Sequence, residues 1–512
     1  MKRQFPIHPL LFALFPVLSL YSANVAEVSP RQVVFPMLAV LAAAILLVLL
    51  AWLVLRDLRK ASVLASLVLI LCFAYGHIVK PMSDSSSASS NSYAALTNLG
   101  KVILIAWAVI LTVATYLVWK TRWDFRRPTL LLNIVGVVMV VVPTIAITTD
   151  EITGSGHPAT TPDTTEIHLS MPDTPPDIYY IILDRYASAS ALAEQHGFDN
   201  SEFLNYLSSK GFFVASDSHD NYAFTEYSLA SSLNMEYLDS LSQQVGKDST
   251  DEEPLYNLIQ DYEVWRLLKP LGYEYTHVGS WWEPTRSNKY ADININRDAQ
   301  LSEFSMTLLR TTALDPIGTS LGLWGDPRKA QYERVRYEFD KLADVPERTG
   351  PTFVIAHFIV PHPDFVFDRD GSFLTPELAA QRTADAEYID QLIAVNKMLE
   401  TLIDKLLVES KTPPIIILQG DEGDVPWDVD WNSVNWNQVT DKELREETGI
   451  LNAYYLPGTD GEALYPSITP VNSFRQVFNL YFDADLDLLQ DRTYISCPGR
   501  PYAFYDVTDR VH

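Results

Sequence analysis

Apolar residues along this chain follow two different patterns, and the change falls near residue 150. Before it lie five long apolar stretches, at residues 7–23, 33–55, 61–79, 100–119 and 128–147. Each is close to the ~20 residues that an α-helix needs to cross the hydrocarbon core of a bilayer. The first contains His8 and two prolines and follows Met1-Lys2-Arg3. A signal peptide and a retained helix both fit it, and the lack of a small-x-small cleavage site favours the helix. After residue 150 the apolar runs shorten. DIYYIIL (177–183), YEYTHVG (273–279), TFVIAHF (352–358) and PIIILQ (414–419) predict buried strands. Helical patterns separate them. In the clearest, Glu387–Leu407, the residues Tyr388, Leu392, Val395, Leu399, Leu402 and Leu406 fall on one face. The expected fold is a multi-helix transmembrane bundle followed by an α/β domain with a doubly wound, mainly parallel sheet.

Charge divides the chain at the same place. Residues 1–150 carry a net +7, and the chain as a whole is −26, which leaves −33 on the remainder. A domain that acidic offers no basic surface to nucleic acid, so that class of partner is excluded. The helix flanks are asymmetric too. Lys2, Arg3, Arg56, Arg59, Lys60, Lys120, Arg122, Arg126 and Arg127 lie on one side, against Arg31, Lys80 and Lys101 on the other. The positive-inside rule puts the first set in the cytoplasm and everything after residue 147 outside. The expected location is therefore the cytoplasmic (inner) membrane, with an extracytoplasmic C-terminal domain. Ser83–Ser92 reads as a flexible loop and residues 150–175 as a Thr/Pro-rich linker. Cys72 and Cys497 make no plausible disulfide, so the exported domain relies on its core.

In open α/β sheets ligands sit beyond the carboxyl ends of strands, so the polar residues there are the candidates. Asp184 and Arg185 follow the first strand, and Asp421 and Glu422 follow the fourth. Such carboxylates either share a metal ion or cap the next helix. In the segment N-Y-A-F-T-E-Y-S-L-A-S-S-L-N, Thr225 sits where a loop enters a helix. It is either a plain cap or a nucleophile favoured by the helix N-terminus. His357 and His362 lie in A-H-F-I-V-P-H-P-D-F, and each is either a structural imidazole or part of a site. Trp281, Trp282, Trp427, Trp431 and Trp436 either pack or stack on sugars.

Taken in order over residues 176–483, these segments resemble the sulfatase-like branch of the alkaline phosphatase superfamily. P-D-I-Y-Y-I-I-L-D is similar to the opening strand of that branch, which ends in a metal-binding carboxylate. T-E-Y-S-L-A-S-S-L is similar to its nucleophile turn and helix. L-G-Y-E-Y-T-H-V-G-S-W-W resembles its G-Y-x-T-x-x-x-G-K-W-H, H-F-I-V-P-H-P-D-F its H-x-x-x-P-H-x-P-F, and G-D-E-G its D-H-G. The layout of membrane helices followed by such a domain is similar to that of lipoteichoic acid synthases and phosphoethanolamine transferases. The resemblance implies Asp184, Thr225 and Asp421 at a metal, with His362 near the transferred group and Arg185, His357 and Trp282 as further substrate-binding candidates.

The departures narrow this. No C-x-P-S-R occurs, which argues against a formylglycine sulfatase, and the Lys and His of G-K-W-H are Ser280 and Trp282. The His of D-H-G is Glu422. With Glu422 as a ligand beside Asp184, Thr225 and Asp421, the site is all-oxygen, which favours one Mn²⁺, Mg²⁺ or Ca²⁺ over Zn²⁺. The expected activity is transfer of a phosphorylated head group from a phospholipid donor in the bilayer to a glycan or lipid acceptor of the envelope, through Thr225. A phosphoester or sulfoester hydrolase of the same fold and a non-catalytic glycan-binding scaffold are the alternatives. Residues 484–512 read as an extension of unassigned role.

Overall fold

The computed structural model describes residues 5–25, 28, 30–84, 90–154, 167–297, 301–321, 323, 326–424, 439–459, 463–497 and 499–511. Trp427, Trp431 and Trp436, residues 85–89 of the Ser-rich loop and residues 155–166 of the linker lie outside them. The chain divides into two compact units, one formed by Met1–Gly156 with Gln300–Gly325, the other by His157–Ala299 with Asp326–His512.

The first unit is a helical bundle of α1 (His8–Ser22), α2 (Pro30–Leu55), α3 (Leu58–Asp84), α4 (Ser90–Lys120) and α5 (Arg126–Gly154). Among the described residues, four helices are long and apolar enough to cross a membrane, α2 to α5. With 15 residues α1 is shorter, about 22 Å at 1.5 Å per residue. It is the packed centre of the unit, burying Phe12, Ala13, Val17 and Tyr21 against α2, α3 and α5. The outer helices expose the opposite kind of face: Leu46, Leu49 and Leu53 on α2, Ile105, Val109 and Val113 on α4, and Val138, Val142 and Ile145 on α5. That belt suits lipid as its solvent, and it makes the protein an integral membrane protein.

Two short helices from much later in the chain complete this unit, α7 (Glu303–Arg310) and α8 (Leu314–Ser320). Phe304 and Leu308 join Val17, Tyr21 and Val33 in one buried cluster. The backbone is stitched in as well. Gly76 N–H donates to the Thr311 carbonyl and Ala313 N–H donates to the Cys72 carbonyl, both at 2.9 Å. A Cβ at Gly76 would stand 2.6 Å from Thr311 Cα, so only glycine permits this approach. The contacts fall near the later ends of α1 and α3 and the start of α2, away from the larger set of basic flanks.

The second unit is built on a seven-stranded sheet of β1 (Ile178–Leu183), β2 (Phe213–Val214), β3 (Glu274–Val278), β4 (Ile293–Ile295), β5 (Thr352–Phe358), β6 (Ile415–Gly420) and β7 (Asn452–Tyr455). The order is β2-β7-β6-β1-β5-β3-β4. The run from β6 to β4 is parallel, and the edge pairs β6–β7 and β7–β2 are antiparallel. Every residue of β1 is buried because the sheet has a core on each face. Tyr179, Ile181 and Leu183 point into one, Ile178, Tyr180 and Ile182 into the other. The first core is covered by α9 (Pro327–Leu342) and α10 (Ala384–Glu409), the second by α6 (Thr225–Asn234) and α12 (Pro470–Phe482). On α10 the six predicted residues from Tyr388 to Leu406 are all buried, each contributing about 1.5–3 kcal/mol. A separate hairpin, β8 (Tyr494–Cys497) and β9 (Arg500–Asp506), falls in the C-terminal extension.

Candidate metal centre and nucleophile

Strand register assembles the site. Leu183 of β1 lies level with Phe358 of β5 and with Gly420 of β6. Asp184 and Asp421 are the next residues on their strands, and His357 is one residue short of the end of β5. Three residues from distant parts of the chain therefore meet at one sheet edge. Ligand atoms of Asp184, His357 and Asp421 lie within 4.8 Å of one another. His357 Nε2 stands 3.6 Å from Asp184 Oδ2 and 3.7 Å from Asp421 Oδ2.

The three groups are fixed from behind and unpaired in front. Asp421 Oδ1 accepts the backbone N–H groups of Arg185 at 3.2 Å and Glu422 at 2.9 Å. Asp421 Oδ2, Asp184 Oδ1 and His357 Nε2 are buried without a hydrogen-bond partner. Orphaned polar atoms facing each other in a buried site fit a cation. Burial alone would lower the His357 pKa, but Asp184 and Asp421 outweigh it and hold the imidazole up to about 9. Burial, reinforced by the charge of Asp184, raises the Asp421 carboxyl. Burial opposes ionisation of Asp184 as well, yet His362, His357 and Arg185 keep its pKa below the usual range.

The orientation of His357 comes from Thr285, a residue that the sequence did not single out. Its Nδ1 is 2.7 Å from Thr285 Oγ1, which is 2.8 Å from Ser280 Oγ, whose hydroxyl donates to the Trp282 carbonyl at 3.4 Å. A carbonyl only accepts, so the row of donors runs from the imidazole outward. Nδ1 carries a hydrogen and Nε2 is left for the carboxylate side. Such a partner behind the ring is the usual companion of a metal-binding histidine. Trp282 stands edge-on to His357 at 6.1 Å and Trp281 edge-on to His362 at 6.4 Å. Both tryptophans wall the two histidines.

Thr225 is the first residue of α6, and its hydroxyl is near enough to Asp421 to favour the ionised carboxylate there. The preceding Phe224 has φ 73°, a left-handed value that is uncommon for a bulky residue and typical of strained functional turns. The turn is held from outside. Tyr494 of β8 brackets it with backbone bonds, accepting from Ala223 and donating to Asn221. The Asn221 side chain donates to Thr469 and to the Arg492 carbonyl and accepts from Val471 N–H. Residues 484–511 thus buttress the Thr225 turn.

The remaining candidates are placed as follows. Glu422 is turned to Arg185, with Nε to Oε1 at 2.8 Å, and is not a member of the Asp184–His357–Asp421 group. Burial and the charges of Asp421 and Asp184 push the Glu422 carboxyl up to about 8 even with Arg185 opposing. Arg185 itself has φ 61°. His362 donates its backbone N–H to the Asp184 carbonyl, and its Nδ1 contacts the Pro363 carbonyl. Burial holds its pKa down despite Asp184 nearby. Sequence reasoning missed the buried carboxylates of Asp220 and Glu447, whose oxygens lack partners, and the pair His196–Asp424 at 2.7 Å. Burial pushes both Asp220 and Glu447 well up. The tight G-D-E-G turn explains their approach: Gly423 N–H donates to the Glu447 carbonyl at 2.7 Å.

No family model matches this chain, and no curated protein matches it. Solved structures similar to it include the C-terminal periplasmic domain of EptC from Escherichia coli in complex with Zn, at 10% identity and TM-score 0.44, covering 66% of this chain and 96% of that one. The phosphoethanolamine transferase EptA, an integral membrane protein from Neisseria meningitidis, is similar at 11% identity and TM-score 0.40, covering 93% and 96%. The lipoteichoic acid synthase LtaP from Listeria monocytogenes is similar at 13% identity and TM-score 0.39, covering 62% and 76%. At these identities and scores the likeness says nothing of chemistry or substrate.

Proposed function

We propose that this chain is a membrane-anchored, metal-dependent transferase that moves a phosphorylated lipid head group to an envelope acceptor, with Thr225 as nucleophile. One observation carries the reading: the residue that opens α6 carries a hydroxyl near enough to lower the Asp421 pKa, and Asp421 is a member of a buried group of metal-ligand type. Asp184, His357 and Asp421 would hold the metal. When bound it would supply positive charge for the phosphoryl oxygens and lower the pKa of the adjacent hydroxyl. Two carboxylates keep Mn²⁺, Mg²⁺ and Ca²⁺ in range, and the imidazole adds Zn²⁺. Glu422 acts behind the site through Arg185.

The protein's own groups provide the rest. Thr225 Oγ1 forms a bond to phosphorus as the bond from phosphorus to the lipid oxygen breaks. Asp421, beside the hydroxyl, takes its proton. His362, with Nδ1 held at the Pro363 carbonyl, gives a proton to the departing alkoxide from its imidazolium form. A phosphothreonine remains; in the second half-reaction an acceptor hydroxyl attacks it, its proton passes to His362, and the proton on Asp421 returns to the Thr225 oxygen.

The test uses the full chain in detergent with a phospholipid labelled in its head group and added Mn²⁺ or Zn²⁺. Label should reach Thr225, persist in Thr225→Ser at a lower rate and vanish in Thr225→Ala. Turnover unchanged in Thr225→Ala would overturn the reading. Head-group release at full rate without any acceptor would make the protein a hydrolase instead.

A further inference from the structure

The first unit contains a cavity of about 410 Å³ that the transfer reaction does not use. Its walls are apolar side chains of the bundle and of the late-docking segment, among them Phe12, Phe15, Leu69, Phe73, Met139 and Leu308. Ser19, His77 and Thr311 also line it, and all three lie toward the outer ends of their elements. Along α1 the lining runs from Phe12 to Ala23, about 16 Å at 1.5 Å per residue. The cavity thus runs along α1 and carries few polar groups.

The cavity is partly open to the surroundings of the bundle, so in a bilayer its occupant comes from those surroundings. Water is a poor occupant, because a buried water needs two to four polar partners and the walls provide almost none. The molecules that meet these helices are those of the bilayer. Taking an apolar cavity of about 150 Å³ as room for one benzene, 410 Å³ accommodates on the order of sixteen carbons. We infer that this cavity is a binding site for one acyl chain of an outer-leaflet phospholipid, lying along α1 and α3 with its ester end beside Ser19, His77 and Thr311. The α7 segment forms part of its wall, so a segment of the exported chain contributes to the lipid site. The site depends on the membrane unit and not on the chemistry at Thr225.

The experiment reconstitutes the full chain in nanodiscs doped with phosphatidylcholine that carries a diazirine near the end of one sixteen-carbon chain. After irradiation, adducts are mapped by peptide mass spectrometry. Adducts are expected on the Phe12–Phe15, Leu69–Phe73 and Met139 peptides. Two cavity-filling variants from one wall, Ala74→Trp and Leu69→Trp, should each reduce these adducts at least fivefold. Adducts on the lipid-facing Ile105 and Val109 of α4 should stay unchanged and report correct insertion. Absence of cavity adducts in the wild type overturns the inference, as does retention of them in both variants. Labelling by a free diazirine fatty acid but not by the phospholipid overturns the assignment to a membrane phospholipid.

Discussion

Replacing Thr285 by valine keeps the shape of the side chain and removes one oxygen, and the structure says what that oxygen does. Thr285 Oγ1 accepts from His357 Nδ1 at 2.7 Å and lies 2.8 Å from Ser280 Oγ. In Thr285→Val the Nδ1 hydrogen of a fully buried ring loses its acceptor, at a cost of about 1–3 kcal/mol. The second effect is on the ring itself, which is no longer held in the tautomer that turns Nε2 to Asp184 and Asp421. Partners behind a ligating histidine are worth about 10- to 100-fold in metal affinity, or about 1.4–2.7 kcal/mol. The assay is titration of Mn²⁺ and Zn²⁺ into metal-stripped full-length protein in detergent, followed by calorimetry, with thermal unfolding of the same sample. Thr285→Val should bind at least tenfold more weakly, while Ser280→Ala, one bond further out, should lose less than half as much on a logarithmic scale. Affinity within twofold of wild type in Thr285→Val would refute the role assigned to His357, because no other described residue orients its Nδ1.

Asn221→Ala should lower unfolding stability by about 2–4 kcal/mol, since Val471 N–H is left buried and unpaired and the bonds to Thr469 and Arg492 are lost; denaturant titration in detergent measures this, and labelling of Thr225 should slow with it. His277 gives a pH dependence. Burial depresses its pKa to about 4 from 6.5, with Nε2–H donated to the Thr285 carbonyl and Nδ1 facing the Tyr275 hydroxyl. A depressed histidine contributes stability that is complete above pH 6.5 and lost as pH falls toward 4, about 3 kcal/mol in all. Thermal midpoints from pH 7.5 to 4 should fall, and His277→Gln should flatten the decline. Gly76→Val should push the Thr311 backbone off α3 and lower the melting temperature of the detergent-solubilised protein by several degrees; an unchanged midpoint would show that the 300–325 segment does not stabilise the bundle.

What could be read from the sequence was whatever is local in the chain. A parallel strand buried on both faces shows as an unbroken run such as IYYIIL, so β1, β3, β5 and β6 and the carboxylates that end two of them were visible. The face of α10 was visible for the same reason. The place of Thr225 at the start of α6 was visible because the start of a helix leaves a local mark. The partner of Asp184 and Asp421 was not. Residue 422 sits next to Asp421 in sequence, but adjacent residues need not face the same way, and Glu422 turns to Arg185. His357 reaches the carboxylates through pairing register, which no segment displays by itself. Thr285 and Ser280 behind it, and Tyr494 behind the Thr225 turn, act across 72 and more than 250 residues. The place of the α7 and α8 segment in the bundle was not legible, because its short helices pack against residues encoded far earlier in the chain.

That last feature bears on how the protein is made and how it can be cut. Val17, Tyr21 and Val33 emerge from the ribosome long before Phe304 and Leu308, the residues that share their cluster. The bundle is therefore completed only after residues 300–325 have been made. Severing the chain at the 150–175 linker would divide the sequence without dividing the structure: the helices would lack a piece of their packing, and the soluble fragment would display Phe304 and Leu308 to water.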